Sequence, residues 1–172
     1  EKALQFCGQD VKRATADGRL VNPCNAYQAD PVSIPEGFRL VLIECEVTNW
    51  RDYPDLVRVD HHRPGIDPGA EMGPKKFWEA SSLGQIVDAL RLVPSQEQKV
   101  LAALDHCFPA AIRGECPGVT PREVLELKIE EISKGTGKSR DEVEGEIDRF
   151  RESLQKAPRE RIGDQEVFDL RG

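Results

Sequence analysis

All three histidines of this chain fall in two Asp-His steps, Asp60-His61-His62 and, further along, Asp105-His106. A neutral imidazole binds a metal or shuttles a proton near neutral pH, and a carboxylate beside it supplies a further oxygen ligand or fixes its tautomer. The pattern marks a candidate site for metal or proton chemistry.

The surrounding elements indicate how such a site is held. Residues 38–45 (FRLVLIEC) form a near-continuous apolar run with the character of a strand buried on both faces. Residues 56–60 (LVRVD) repeat it in shorter form and lead into the histidines. The Gly- and Pro-rich stretch 62–69 that follows cannot be a helix or central strand, so the histidines stand at a strand's carboxyl end. Consecutive strands are usually neighbours, and ligands of open sheets gather outside the carboxyl ends of their strands. Glu44 and His61 are therefore expected to face one crevice.

Helices follow. Ser81 or Ser82 can cap a helix carrying Leu83, Ile86, Val87 and Leu90, closed by Pro94. Ser95 and Gln98 form a capping box ahead of an apolar stripe, Val100, Leu101, Leu104 and Phe108. Pro109 should kink or end that helix, leaving Asp105 and His106 on it or just beyond it. Thr120 with Glu123 and Ser139 with Glu142 open two more helices, the last presenting Val143, Ile147, Phe150 and Leu154 to a core. Residues 1–17 have room for one short helix, 19–21 read as a short strand, and 166–170 as a final strand. Strands alternating with helices imply an α/β fold, a mostly parallel sheet flanked by helices in a Rossmann-like arrangement. A single domain over residues 1–172, as a fragment of a longer protein, is the expected organisation.

Composition narrows the function classes. The net charge of -7 disfavours a sequence-independent grip on duplex nucleic acid, which depends on Lys and Arg neutralising phosphates. No stretch approaches the roughly 18 apolar residues needed to cross a bilayer, and a cytoplasmic location is expected. The 5 cysteines include no CxxC pair, so reduced thiols are the expectation. Cys107 and Cys116 lie near His106, but a zinc site there lacks a fourth ligand.

The Asp-His-His resembles that of the DHH phosphoesterases, and the likeness spans roughly residues 38 to 110. Ile43-Glu44-Cys45 is similar to the preceding strand of that family, which ends in an aspartate often followed by cysteine. The run Ala80-Ser81-Ser82-Leu83-Gly84 resembles its small-residue helix start, and Asp105 stands where a further metal-binding aspartate is expected. The resemblance implies Glu44, His61 and Asp105 as metal ligands, Asp60 supporting His61, and His62 facing the phosphate. It further implies Mn²⁺ or Mg²⁺, one or two ions, and hydrolysis of a small phosphorylated or nucleotide substrate. Arg63, beside the motif, is a candidate to hold phosphate oxygens bidentately.

The chain departs from the family at three points. Glu44 replaces the usual aspartate, and no C-terminal substrate domain is recognisable. The opening His-x-Asp-x-Asp motif is missing too, with only Ala16-Asp17-Gly18 echoing its tail. A non-catalytic nucleotide- or protein-binding module derived from the same fold is the alternative.

Overall fold

The computed structural model describes residues 10–53 and 55–168. The chain divides into two compact units, residues 1–124 and 125–172, and every candidate site residue belongs to the first.

The expectation of a mostly parallel sheet flanked by helices is overturned. The protein is 45% helix, with five helices and only small two-stranded sheets among the described residues. Strands β1 (Thr15–Ala16) and β2 (Arg19–Leu20) form a minimal hairpin, β3 (Val41–Ile43) pairs in parallel with β4 (Val57–Val59), and β5 (Arg159–Ile162) pairs antiparallel with β6 (Gln165–Phe168). The helices are α1 (Phe77–Ala80), α2 (Ser82–Ala89), α3 (Gln96–Ile112), α4 (Pro121–Thr136) and α5 (Arg140–Lys156).

The apolar run at 38–45 misleads for a definable reason. Only Val41–Ile43 pairs, Phe38 and Val41 are exposed, and Glu44 enters the left-handed region at φ 51°. Periodicity reports that a short segment is apolar, not how many strands will flank it. Parallel pairing between β3 and β4 is nonetheless present, in the register Val41↔Val57, Leu42↔Arg58, Ile43↔Val59. The Glu44 N–H donates to Val59 O at 3.0 Å, which sets Glu44 beside the start of Asp60-His61-His62.

Beside this pair, Ala29 makes a parallel bridge to Val47, and the Glu46 N–H donates to Ala26 O. Ala29, Leu42 and Val47 are the buried centre of a small apolar cluster. Residues 15–20 form a tight hairpin with Asp17 and Gly18 both at positive φ, the geometry an Asp-Gly turn favours. The Asp30 carboxylate accepts from Thr15 Oγ1 and from the Asp17 and Gly18 N–H groups, fixing that turn. No helix occurs at residues 10–17, and residues 1–9 lie outside the described residues.

All four expected helix caps are present. Ser95 and Gln98, and Ser139 and Glu142, make reciprocal capping boxes, while Ser81 accepts the Gly84 N–H. At the fourth, Thr120 and Glu123 exchange the equivalent bonds. Helices α1 and α2 pack on α3, and α2 also meets β4. Their interface is built from small residues, with Ala80, Ala102, Ala103 and Ala111 fully buried.

Close approach explains the small residues of the 80–84 segment and of the preceding loop. A Cβ on Gly84 would lie 1.8 Å from Trp78 O, and one on Gly69 would lie 1.9 Å from Ala80 O and 2.9 Å from His61 Cβ. The second unit contains the remainder of α4, then α5 and the β5–β6 hairpin. Its buried apolar side chains include Ile129 and Val143, and Arg140 pairs with Glu126 and Glu144. The expected final strand at 166–170 appears as β6, ending at Phe168, with 169–170 outside the described residues. Its partner β5 was not anticipated, because Arg159–Ile162 (RERI) is exposed throughout and carries no buried face to read. Among the described residues no helix is long and apolar enough to cross a membrane.

Gly69 is the position where the loop meets His61. Gly69→Ala should lower the stability of the folded state by about 1–3 kcal/mol, the usual cost of overpacking, as read by urea unfolding. Alanine at exposed Gly73, where an added Cβ meets nothing within 4 Å, should be nearly silent.

Candidate metal centre

The centre assembles from three separate segments. Glu44 follows β3, His61 follows β4, and Asp105 lies on α3 just before its break. Pro109 has no N–H to offer the Asp105 carbonyl, and Cys107, between them, is non-helical at φ -148°, ψ 48°. The sequence expectation of a kink at Pro109 is met two residues upstream. Asp105 and His106 consequently end the regular first part of α3.

His61 stands between the two carboxylates. Its Nδ1 is 3.9 Å from Glu44 Oε1 and its Nε2 is 3.7 Å from Asp105 Oδ2. One ligand atom from each of Glu44, His61 and Asp105 lies within 4.8 Å of the other two. The imidazole is 6% exposed, whereas the Glu44 and Asp105 side chains are 40% and 44% exposed, so the cluster opens to solvent on its acidic side. Ser82 Oγ sits 3.2 Å from His61 Nδ1. When Nδ1 carries the proton and donates to Ser82, the Nε2 lone pair faces Asp105.

Burial pushes the His61 pKa below the ordinary histidine range. Asp105 and Glu44 pull it upward and His62 and His106 push it down, and the downward effects prevail. At pH 7 His61 is therefore neutral and, flanked by two carboxylates, suits a divalent cation better than a simple ion pair. Oxygen ligands with a single imidazole fit Mn²⁺ or Mg²⁺ chemistry.

Asp60 organises the motif, though not in the expected way. Its Oδ1 accepts from the His61 N–H at 2.7 Å, the His62 N–H at 3.2 Å and the His62 ring Nδ1 at 2.7 Å. Its Oδ2 accepts from Tyr27 Oη at 2.9 Å. Asp60 thus holds the backbone of His61 but the ring of His62, while Ser82 meets the ring of His61. Burial alone would raise the Asp60 carboxyl, but the hydrogen bonds from His62, Tyr27 and the two N–H groups outweigh it and keep the pKa below the usual value. A second potential ligand group, Asp60, His61 and His62, also lies within 4.8 Å, but Asp60 Oδ1 is already saturated by three donors.

His62 is half exposed and stacks on His61 with ring centroids 4.2 Å apart. Partial burial lowers its pKa, yet the Asp60 hydrogen bond and charge, with Glu44 and Asp105 behind them, raise it overall. With Nδ1 bound to Asp60, the Nε2 edge is the one left to meet a ligand.

Arg63 is held by carboxylates of its own chain. Its Nε and Nη2 bind Asp67, Nη2 also binds Glu46 at 3.0 Å, and the guanidinium lies 4.0 Å over the Tyr27 ring. Arg58 joins the same two carboxylates. The side chain folds the 63–67 turn around buried Asp67. His106, which had no assigned role, has its Nε2 3.0 Å from Met72 O, its buried Nδ1 without a hydrogen-bond partner, and its ring edge-on to His61 at 5.2 Å. It ties the 62–76 loop to α3.

Tyr27, Asp67 and Gly69 escaped sequence reasoning, and Ser82 was read only as a helix cap and part of the small-residue helix start, not as the partner of the His61 ring. Tyr27 sits in a polar stretch with no periodicity, and its partner is 33 residues away. Asp67 and Gly69 carried a weak signal, as an acidic residue and a glycine inside a Pro/Gly-rich loop beside the motif.

No family model, no curated protein and no solved structure matches this chain. The likeness to the DHH phosphoesterases rests on the residues quoted above.

Two measurements follow from this geometry. In the metal-free protein, His62 should titrate above the ordinary histidine value and His61 below it by NMR, and Asp60→Asn should bring His62 down. Tyr27→Phe removes a donor from a buried carboxylate and should cost about 1–3 kcal/mol in denaturant unfolding. An unchanged midpoint would show that the Tyr27 contact contributes nothing.

Proposed function

We propose that the chain is a metal-dependent, phosphoesterase-like hydrolase of DHH type, acting on a small phosphorylated or nucleotide substrate. The observation that carries this reading is the convergence of Glu44, His61 and Asp105 from three segments, with a neutral buried imidazole between two solvent-facing carboxylates. These three residues would hold Mn²⁺ or Mg²⁺, and one ion is what the available ligand atoms support. A divalent ion there would polarise a phosphoryl oxygen and favour attack by water.

The protein's own groups divide the remaining work. Ser82 and burial fix the His61 ring, and Asp60, braced by Tyr27, fixes His62. His62, with its raised pKa and outward Nε2, would donate a hydrogen bond to a phosphate oxygen or a proton to the leaving group. The cation and His62 both favour an anionic substrate, while the net charge of -7 disfavours a long duplex. A cytoplasmic setting and the absence of membrane contact belong to the same proposal.

One observation favours the alternative, a non-catalytic nucleotide- or protein-binding module. The segment echoing the family's opening acidic motif folds as the Thr15–Leu20 hairpin, and Asp17 belongs to neither potential ligand group. A centre with three protein ligands binds a cation but has fewer groups to orient water.

Isothermal titration of the metal-free chain with Mn²⁺ should show one site, weakened at least ~10-fold by His61→Ala or Glu44→Gln. Phosphate release from nucleoside phosphates, dinucleotides, cyclic dinucleotides and pyrophosphate should then require Mn²⁺ and fall in the same variants. Mn²⁺ and nucleotide binding without turnover would select the binding module. No Mn²⁺ binding at all would overturn the hydrolase reading, and nucleotide binding undiminished in the metal-free protein would favour the binding module.

A further inference from the structure

A second pair of reactive groups lies beside the centre and takes no part in it. Cys107 Sγ and Cys116 Sγ are 3.2 Å apart, close enough to share a thiol hydrogen bond, and both are free thiols. Two independent devices bring them together. Cys107 is the non-helical residue at the break in α3. Cys116 follows the turn that ends α3, where the Gly114 N–H donates to Ala111 O and the Glu115 N–H to Ala110 O, each at 3.0 Å. These are the paired bonds of a Schellman motif, with Gly114 at φ 79° supplying the left-handed residue it requires. A further turn, the Val119 N–H to Cys116 O, holds the other side.

We infer that Cys107 and Cys116 are a reversible disulfide site, closed by thiol–disulfide exchange with a small-molecule disulfide. An S–S bond is about 2.05 Å long, so closure requires the sulfurs to approach by roughly 1 Å. A zinc reading is disfavoured, because among the described residues no His, Asp or Glu forms a ligand group with the two sulfurs.

The electron balance is simple. Cys107, the more accessible of the two, loses its proton and attacks one sulfur of glutathione disulfide, forming a mixed disulfide and releasing one glutathione thiolate. Cys116 then loses its proton and attacks the Cys107 sulfur, releasing the second glutathione. The protein is oxidised by two electrons and the glutathione disulfide is reduced by two. Uncatalysed exchange of this kind is slow, on the scale of minutes to hours. The closed form would clasp the Schellman turn to the residue two positions beyond Asp105. This inference does not depend on a metal at Glu44, His61 and Asp105.

The test uses the whole folded chain, incubated with glutathione disulfide, quenched in acid, alkylated and digested with trypsin. Arg113 lies between the two cysteines, so closure should link peptide 100–113 to peptide 114–122 until dithiothreitol separates them. The oxidised protein should also melt higher, by on the order of 5 °C. Separate alkylation of Cys107 and Cys116 after oxidation would overturn the inference, and so would links scattered equally over Cys24 and Cys45. The readout is made on the unaltered chain, so it does not depend on whether a cysteine variant folds.

Discussion

One buried carboxylate carries the architecture around the histidines. Asp60 stands at the end of β4 with both side-chain oxygens engaged and its side chain 3% exposed. Its carbonyl also accepts from the Gly69 N–H and from Gln85 Nε2, so four segments meet on this residue: the Tyr27 turn, the histidine pair, the 62–76 loop and α2. A buried charge is tolerated only when its hydrogen-bonding capacity is met, and here four donors to the side chain do so. Removing Tyr27 Oη leaves Oδ2 without its donor, which is why the surroundings of Asp60 are more constrained than a three-residue motif suggests.

A second charge network backs the first. Arg58 and Arg63 bind both Glu46 and Asp67, two cations against two anions with Asp67 fully enclosed. Such a network contributes little net stability, because desolvation offsets most of the Coulombic gain, but it fixes the geometry of its members. Here it sets the 63–67 turn, and the Arg63 guanidinium over Tyr27 connects that turn to the partner of Asp60. The solvent-facing carboxylates Glu44 and Asp105 are left outside it, beside a neutral His61. The chain thus separates the acids that build from the acids that can bind.

How far the sequence could be read depended on whether the signal was local. Ser95 with Gln98 and Ser139 with Glu142 announced their helices correctly because a capping box closes within four residues. Pro109 announced the break in α3 for a similar reason, the absent N–H. The meeting of Glu44 and His61 was legible through their positions at strand ends, while Asp105 was implied by the resemblance to the DHH phosphoesterases. The partners of Arg63 were not legible, because its nearness in sequence to His62 said nothing of Glu46, 17 residues earlier, or of the buried Asp67. The fold class was misread because residues 38–45 and 56–60 are apolar enough for a central sheet, yet only three residues of each pair.

By itself the sequence determined where the helices start, where α3 breaks and which side chains are chemically able to bind a cation. Those properties follow from bonds that close within a few residues and from the identity of the groups. Only the tertiary structure decided that the sheet stops at two strands and that Asp60 orients the His62 ring and not that of His61. It also engaged Arg63 with Asp67 and set Cys116 against Cys107. Each of these outcomes depends on contacts between segments distant in sequence or separated by a turn, and no local pattern encodes which of those contacts form.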